Sequence, residues 1–138
     1  GGSMDQITLR IPVTVKSKVT QELKDKILKE TEQILADIDR EMQNLEFQTQ
    51  RMMSEQAKLD LQGLTSLRAQ VEDQKQRLTN AKVKAQSDHD QAAQLEIGSE
   101  ITQGQLEQTV TVKVGDDLNK LMGLEILLED GKVAAFRQ

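Results

Sequence analysis

From Thr20 to Leu95 the chain reads as two long amphipathic helical runs, and no other stretch limits its fold so strongly. The first stripe is Leu23, Ile27, Ile34, Ile38, Met42, Leu45, Met52 and Leu59, with Thr31, Thr49 and Gln56 filling the gaps at helical spacing. Some 40 residues at ~1.5 Å each make a helix roughly 60 Å long. A chain of 138 residues cannot surround such a helix with a globular core. The return run is stricter, with Leu64, Val71, Leu78, Ala85 and Ala92 at one seam position and Leu67, Gln74, Ala81, Asp88 and Leu95 at the other. That is a sustained heptad, the pattern of a coiled-coil seam. The break Gln62-Gly63-Leu64-Thr65-Ser66 predicts an antiparallel hairpin folded about Gly63, which brings the two ends of the chain together.

Folding about Gly63 sets Leu59 against Leu67, Met52 against Gln74, Leu45 against Ala81 and Ile34 against Ala92. Ile38, Leu45, Met52, Leu67, Leu78 and Ala85 are the expected seam, large facing small in the proximal half, with Asp88 in reach of Arg40. Thr49, Gln56 and Gln74 make the distal seam wetter. Phe47 and Met53 fall off the seam, and two apolar side chains on an outer face are the candidate partner-binding residues.

The flanks change period. Ile7, Leu9, Ile11, Val13 and Val15 alternate with polar residues, which predicts a half-buried strand. Pro12 has no N–H to donate, so that strand is expected at a sheet edge or with a bulge. After Leu95, Ile97–Ile101 reads as a short extended piece, and Leu106, Gln108, Val110, Val112 and Val114 alternate as a second strand. Gly115-Asp116-Asp117 caps one helical turn ending at Gly123, and Asp130-Gly131 joins Leu124–Glu129 to Lys132–Arg137 as a tight hairpin pairing Glu129 with Lys132, Leu128 with Val133 and Leu127 with Ala134. The fold class is α+β: a long antiparallel helical hairpin (19–95) inserted in a small antiparallel β-sheet or barrel built from 4–18 and 96–138. Gly1-Gly2-Ser3 ahead of Met4 reads as a tag remnant.

Charge argues against a polyanion-binding face. The net charge of −5 is spread, with fourteen acids against eleven bases over Thr20–Leu95 and nine against seven elsewhere. Trp and Tyr are absent and Phe47 and Phe136 are the only aromatic residues, so there is no stacking platform for bases. Without cysteine there is no disulfide framework and no thiol nucleophile, which fits a reducing, cytoplasmic setting. No apolar run approaches the ~20 residues of a transmembrane helix, and no secretory signal pattern precedes the first strand.

No catalytic, cofactor-binding or metal-ligating set stands out. His89 lies between Asp88 and Asp90, and consecutive helical residues fan out by ~100° each, so the three are expected on a solvated face. Asp116 and Asp117 fit helix capping better than paired acid–base chemistry. Met42 and Met52 at seam spacing fit core filling better than an adaptable client-binding face.

Leu95-Glu96-Ile97-Gly98-Ser99-Glu100-Ile101, Val110-Thr111-Val112-Lys113-Val114-Gly115-Asp116 and Glu129-Asp130-Gly131-Lys132-Val133, with Val13-Thr14-Val15-Lys16 before the long helices, resemble the YlqD-like family of small bacterial proteins. The resemblance spans nearly the whole chain from Met4, and its motifs are structural, so it carries over a layout and no functional residues. The position of some members' genes beside ribosome-maturation genes implies a ribosomal connection.

These observations point to a non-enzymatic cytoplasmic interaction or scaffold protein, chaperone-like in plan. It is expected to bind a protein partner through the hairpin or the β base and to form a homo-oligomer. A ribosome- or RNA-associated role of the base ranks second, because the base is acidic. No cofactor is expected.

Overall fold

The computed structural model describes residues 4–138; the tag remnant Gly1–Ser3 lies outside the described residues. Seven elements follow one another: β1 (Gln6–Lys18), α1 (Gln21–Leu59), α2 (Leu61–Ala93), β2 (Glu100–Lys113), α3 (Leu118–Leu121), β3 (Glu125–Glu129) and β4 (Lys132–Arg137). The architecture is α+β, with the two long helices inserted between the first strand and the other three. Two compact units result: residues up to Lys24 together with Leu95–Gln138, and Asp25–Gln94.

In the first unit β1 and β2 form an antiparallel ladder from Gln6–Lys113 to Lys18–Glu100. The ladder shifts between Val15 and Lys16, where Gln103 is the extra residue of a bulge, so the extended piece at Ile101 and the strand after Leu106 are one element. The sheet order is β2-β1-β3-β4. β3 runs parallel to β1, pairing Thr14 with Glu125 through Ser17 with Leu128, so the sheet is mixed, where alternation alone suggested an antiparallel one. The cause is the link Val114–Leu124: it leaves β2 beside the start of β1 and enters β3 from that same end. The sheet is open, with β2 and β4 as its edges.

Pro12 sits in an inner strand and pairs with Glu107, with no bulge at that point. Its position is nevertheless free of cost. Thr14 donates its N–H to the Leu124 carbonyl (3.1 Å), on the β3 side. Alternation of backbone groups along a strand then aims the Pro12 nitrogen to the same side, ahead of the start of β3, where β1 has no neighbour to receive a donor. Ile11, Val13 and Val19 are buried, whereas Ile7 at the far end of the same stripe is half exposed.

The β3–β4 turn has the expected Asp130-Gly131 pair, both at positive φ (50° and 81°), which suits a two-residue hairpin. A register shift after Leu128 leaves Ala134 unpaired and sets Leu127 opposite Ala135, one residue beyond the simple count. The Thr20 hydroxyl accepts from the Leu23 N–H (3.1 Å), capping α1, and donates to Asp130 (2.5 Å). Lys24 donates to the Leu95 carbonyl (2.9 Å) just past the end of α2.

In the second unit the hairpin turns at Asp60, not at Gly63. The Asp60 carboxylate accepts from the N–H groups of Gln62 (3.0 Å) and Gly63 (3.3 Å) as the N-cap of α2, which makes both residues helical. The cross-helix pairs Lys82–Asp39 (2.9 Å) and His89–Glu32 (3.3 Å) are both centred on Asp60-Leu61. That register replaces the one expected from Gly63, so Leu45 with Ala81 and Ile34 with Ala92 are not level with each other. Asp88 pairs with Lys84 and Arg40 with Asp37 on their own helices, so the expected Asp88–Arg40 contact does not form. Thr31, Ile38, Leu45, Val71, Ala85 and Ala92 are the buried seam, and Leu67 and Leu78 are half-buried. Leu35 takes the seamward place assigned to Ile34, which is exposed.

The distal seam is the weaker half. The Thr49 hydroxyl is buried without a hydrogen-bond partner, whereas the buried Thr31 hydroxyl donates back to Ile27 and Leu28 carbonyls. Leu45→Ala is expected to cost about 2–5 kcal/mol and Thr49→Val to add about 1 kcal/mol, read by denaturant unfolding. Asp60→Ala should cost about 1 kcal/mol through lost capping, with helix content measured by circular dichroism retained at the base-proximal turns.

Candidate interaction surfaces

Of the two residues singled out for partner binding, Phe47 is 66% exposed on α1 and Met53 is half-buried. The structure exchanges the methionine roles, since Met52, counted in the seam, is 42% exposed. The inward residues of α1 run Leu45, Thr49, Met53 and Gln56, and steps of four, four and three keep Met53, not Met52, on that face. Sequence reasoning missed the hairpin tip itself: Leu59 (80% exposed) and Leu61 (72%) flank the Asp60 cap. The available signal was Asp60 itself, an N-cap residue type directly ahead of Leu61 and the periodic run of α2. A turn at Gly63 would leave Leu59 one layer inside the seam, and the turn at Asp60 exposes it instead.

Ion pairs lace the rest of the hairpin surface, with Lys26–Glu30, Arg77–Asp73 and Lys84–Asp88 at helical spacing, while Ile34 and Val83 also face solvent. Exposed pairs of this kind add little stability and mainly keep the face solvated. His89 differs from the expected solvated residue: it is half-buried and its Nε2 lies 3.3 Å from Glu32 across the seam. A groove of about 510 Å³ follows α2 past Val83, lined by Gln, Ser and Thr with Lys82 and Asp90. Among the described residues no group of three His, Cys, Asp or Glu side chains converges as a metal site, and no helix is long and apolar enough to cross a membrane.

In the sheet unit the strongest polar constellation is structural in geometry. Arg137 of β4 forms a two-pronged bridge to Glu100 of β2 (2.6 and 2.9 Å) and also reaches Glu125 of β3 (3.1 Å), which in turn holds Lys16 of β1 (2.9 Å). One side chain from every strand therefore joins a single chain of ion pairs, and the two edge strands are tied across the sheet. The Arg137 hydrogen bond, partly opposed by burial and reinforced by charge, holds the Glu100 carboxyl below its ordinary 4.5. Glu125 is lowered chiefly by its hydrogen bond from Lys16 and then by the charges of Lys16 and Arg137, again against burial. Arg137 is raised by the same partners, Glu100 first.

The fold and surfaces therefore define a class: a small mixed-sheet α+β protein interrupted by a helical hairpin, with apolar side chains offered to solvent. The chain belongs to the YlqD family, whose model, described as YlqD protein, matches residues 7–137. A solved structure titled as a protein of unknown function from Synechococcus sp. WH 8102 is similar over 99% of this chain and 100% of that one, with a TM-score of 0.80 and 24% identity. It shares the fold. No curated protein matches.

Carboxyls whose values are lower in the folded state stabilise it above their ordinary value, and that contribution is lost as pH falls through the folded value. Thermal stability should therefore drop as the pH is lowered below 4.5, and Arg137→Gln should flatten that dependence in a pH series of melting curves.

Proposed function

We propose that this chain is a non-enzymatic, cytoplasmic interaction protein that binds a protein partner through the distal part of its helical hairpin and self-associates through its sheet unit. The observation that carries the reading is the tip, where Leu59 and Leu61 flank the Asp60 cap and expose large apolar side chains, with Phe47 exposed further back along α1. Apolar side chains grouped at one end of a charged element favour a partner that removes them from water, at about 25 cal/mol per Å² buried. The distal seam, with its unpartnered Thr49 hydroxyl, gives that end the freedom to adjust to what it meets. A chaperone-like role is the natural form of such binding, since clients would be held by adaptable apolar contacts of the kind Met53 and Met52 supply.

Crosslinking and affinity capture from the native cell, read by mass spectrometry, test the reading. The full chain is compared with one shortened by a heptad in each helix and with the double variant Leu59→Ser/Leu61→Ser. Both variants should lose the captured partner. Capture that is unchanged by shortening and by the tip variant overturns the proposal.

A further inference from the structure

The two edges of the sheet are unlike. β4 has six residues, whereas β2 has fourteen and stands at the other end of the strand order. Val114 donates its N–H to the Asp5 carbonyl (3.0 Å), on the β1 side. Alternation along the strand then aims the backbone groups of Leu106, Gln108, Val110 and Val112 at β1, and those of Gln105, Glu107, Thr109, Thr111 and Lys113 outward. The outward row is stopped at both ends. Asp116 closes one, its carboxylate accepting from the Lys113 N–H (2.8 Å) and its own N–H donating to the Lys113 carbonyl (3.0 Å). The bulge at Gln103 closes the other. Between them lies Gln105–Thr111, with no strand beside it among the described residues and exposed side chains from Thr102 to Thr109. It contains no proline and no lysine, the residues that usually blunt an open edge.

We infer that this edge of β2 pairs antiparallel with the same edge of a second copy of the chain, with the two-fold axis at Gln108. This deepens the self-association part of the function proposed above. The free row is symmetric about Gln108, so that register alone gives every outward N–H and C=O from Gln105 to Thr111 a partner. Gln105 pairs with Thr111 and Glu107 with Thr109, each twice. On the apolar face Leu106, 56% exposed, lies opposite Val110, and Gln108 meets Gln108, whose amides complement each other. Moving the axis to Glu107 would set two carboxylates directly opposite. With the axis at Gln108, Glu107 of each copy instead lies in line with Arg10 of the other, because Arg10 pairs with Thr109 in the β1–β2 ladder and shares its face. Arg10 already lies 3.9 Å from its own Glu107, so each carboxylate gains a second cation. The apolar stripe of Ile7, Leu9, Leu106, Val110 and Val112 continues from one copy into the next, and the two sheets become one of eight strands.

The absence of cysteine makes the register directly testable. At the two-fold the Gln108 pair is of the non-hydrogen-bonded kind, with Cα atoms ~4.5 Å apart, within the ~4.4–6.8 Å that a disulfide spans. Two copies of Gln105 lie six positions apart along the ladder, roughly 20 Å. Light scattering on the full chain should give twice the 15.5 kDa monomer mass. Mild oxidation should link Gln108→Cys into a dimer and leave Gln105→Cys unlinked. Thr109→Pro, which removes an outward N–H that β1 does not use, should halve the mass without changing the far-ultraviolet circular dichroism. A monomer mass at every concentration overturns the inference, as does linking of Gln105→Cys as fast as Gln108→Cys, or a Thr109→Pro chain that stays dimeric. Partner capture by Thr109→Pro reads the hairpin separately, so failure of either idea is distinguishable from failure of the other.

Discussion

The ladder between β1 and β2 is the constraint on which the rest of the sheet depends. Its strands are separated in sequence by the entire hairpin, and a flexible connection of that length would place a loop-closure cost on every pair in it. The hairpin removes most of that cost because its own formation is local: heptad contacts and the Asp60 cap fold α1 against α2 and return the chain to Leu95. Val19 then bonds Ser99 and Gly98, Lys24 reaches the Leu95 carbonyl, and the ladder extends from there to Gln6. β3 and β4 are added on the other flank of β1, and the Glu100–Arg137–Glu125–Lys16 chain of charges ties all four strands.

The hairpin is graded along its length by the size of its seam residues. Thr31, Ile38 and Leu45 on α1 and Ala85 and Ala92 on α2 are the buried residues of the proximal half. Beyond Leu45 only Val71 is buried, the Thr49 hydroxyl has no partner, and Met52, Leu59 and Leu61 are exposed. Helical segments with few buried contacts open at low free energy, so the same residues that weaken the seam also offer the apolar surface.

A fold shared at 24% identity with a cyanobacterial protein is specified by pattern more than by particular side chains. Heptad spacing, period-two strands and a few turn residues are enough to choose this architecture, because each local preference agrees with the whole. What such patterns leave open is the surface, where Phe47, the tip leucines and the free edge of β2 are choices that the fold itself does not require.

By itself the sequence determined the α+β class, the two long helices, the Asp130-Gly131 hairpin and the joining of both flanks into one sheet. These follow from periodicity and turn chemistry, which are local. Tertiary structure decided the rest. Glycine breaks helices, which makes Gly63 the local candidate for the turn, yet Asp60 supplies a cap and keeps Gly63 inside α2, which shifts the register between the two helices. Pro12 marked an edge correctly only in part: its nitrogen faces an open side of a strand that is central further along. The parallel placement of β3, the bulge at Gln103 and the ion pairs of Arg137 depend on which end of β1 the chain comes from and on residues far apart in sequence. Those are long-range facts, and a pattern read along the chain carries no record of them.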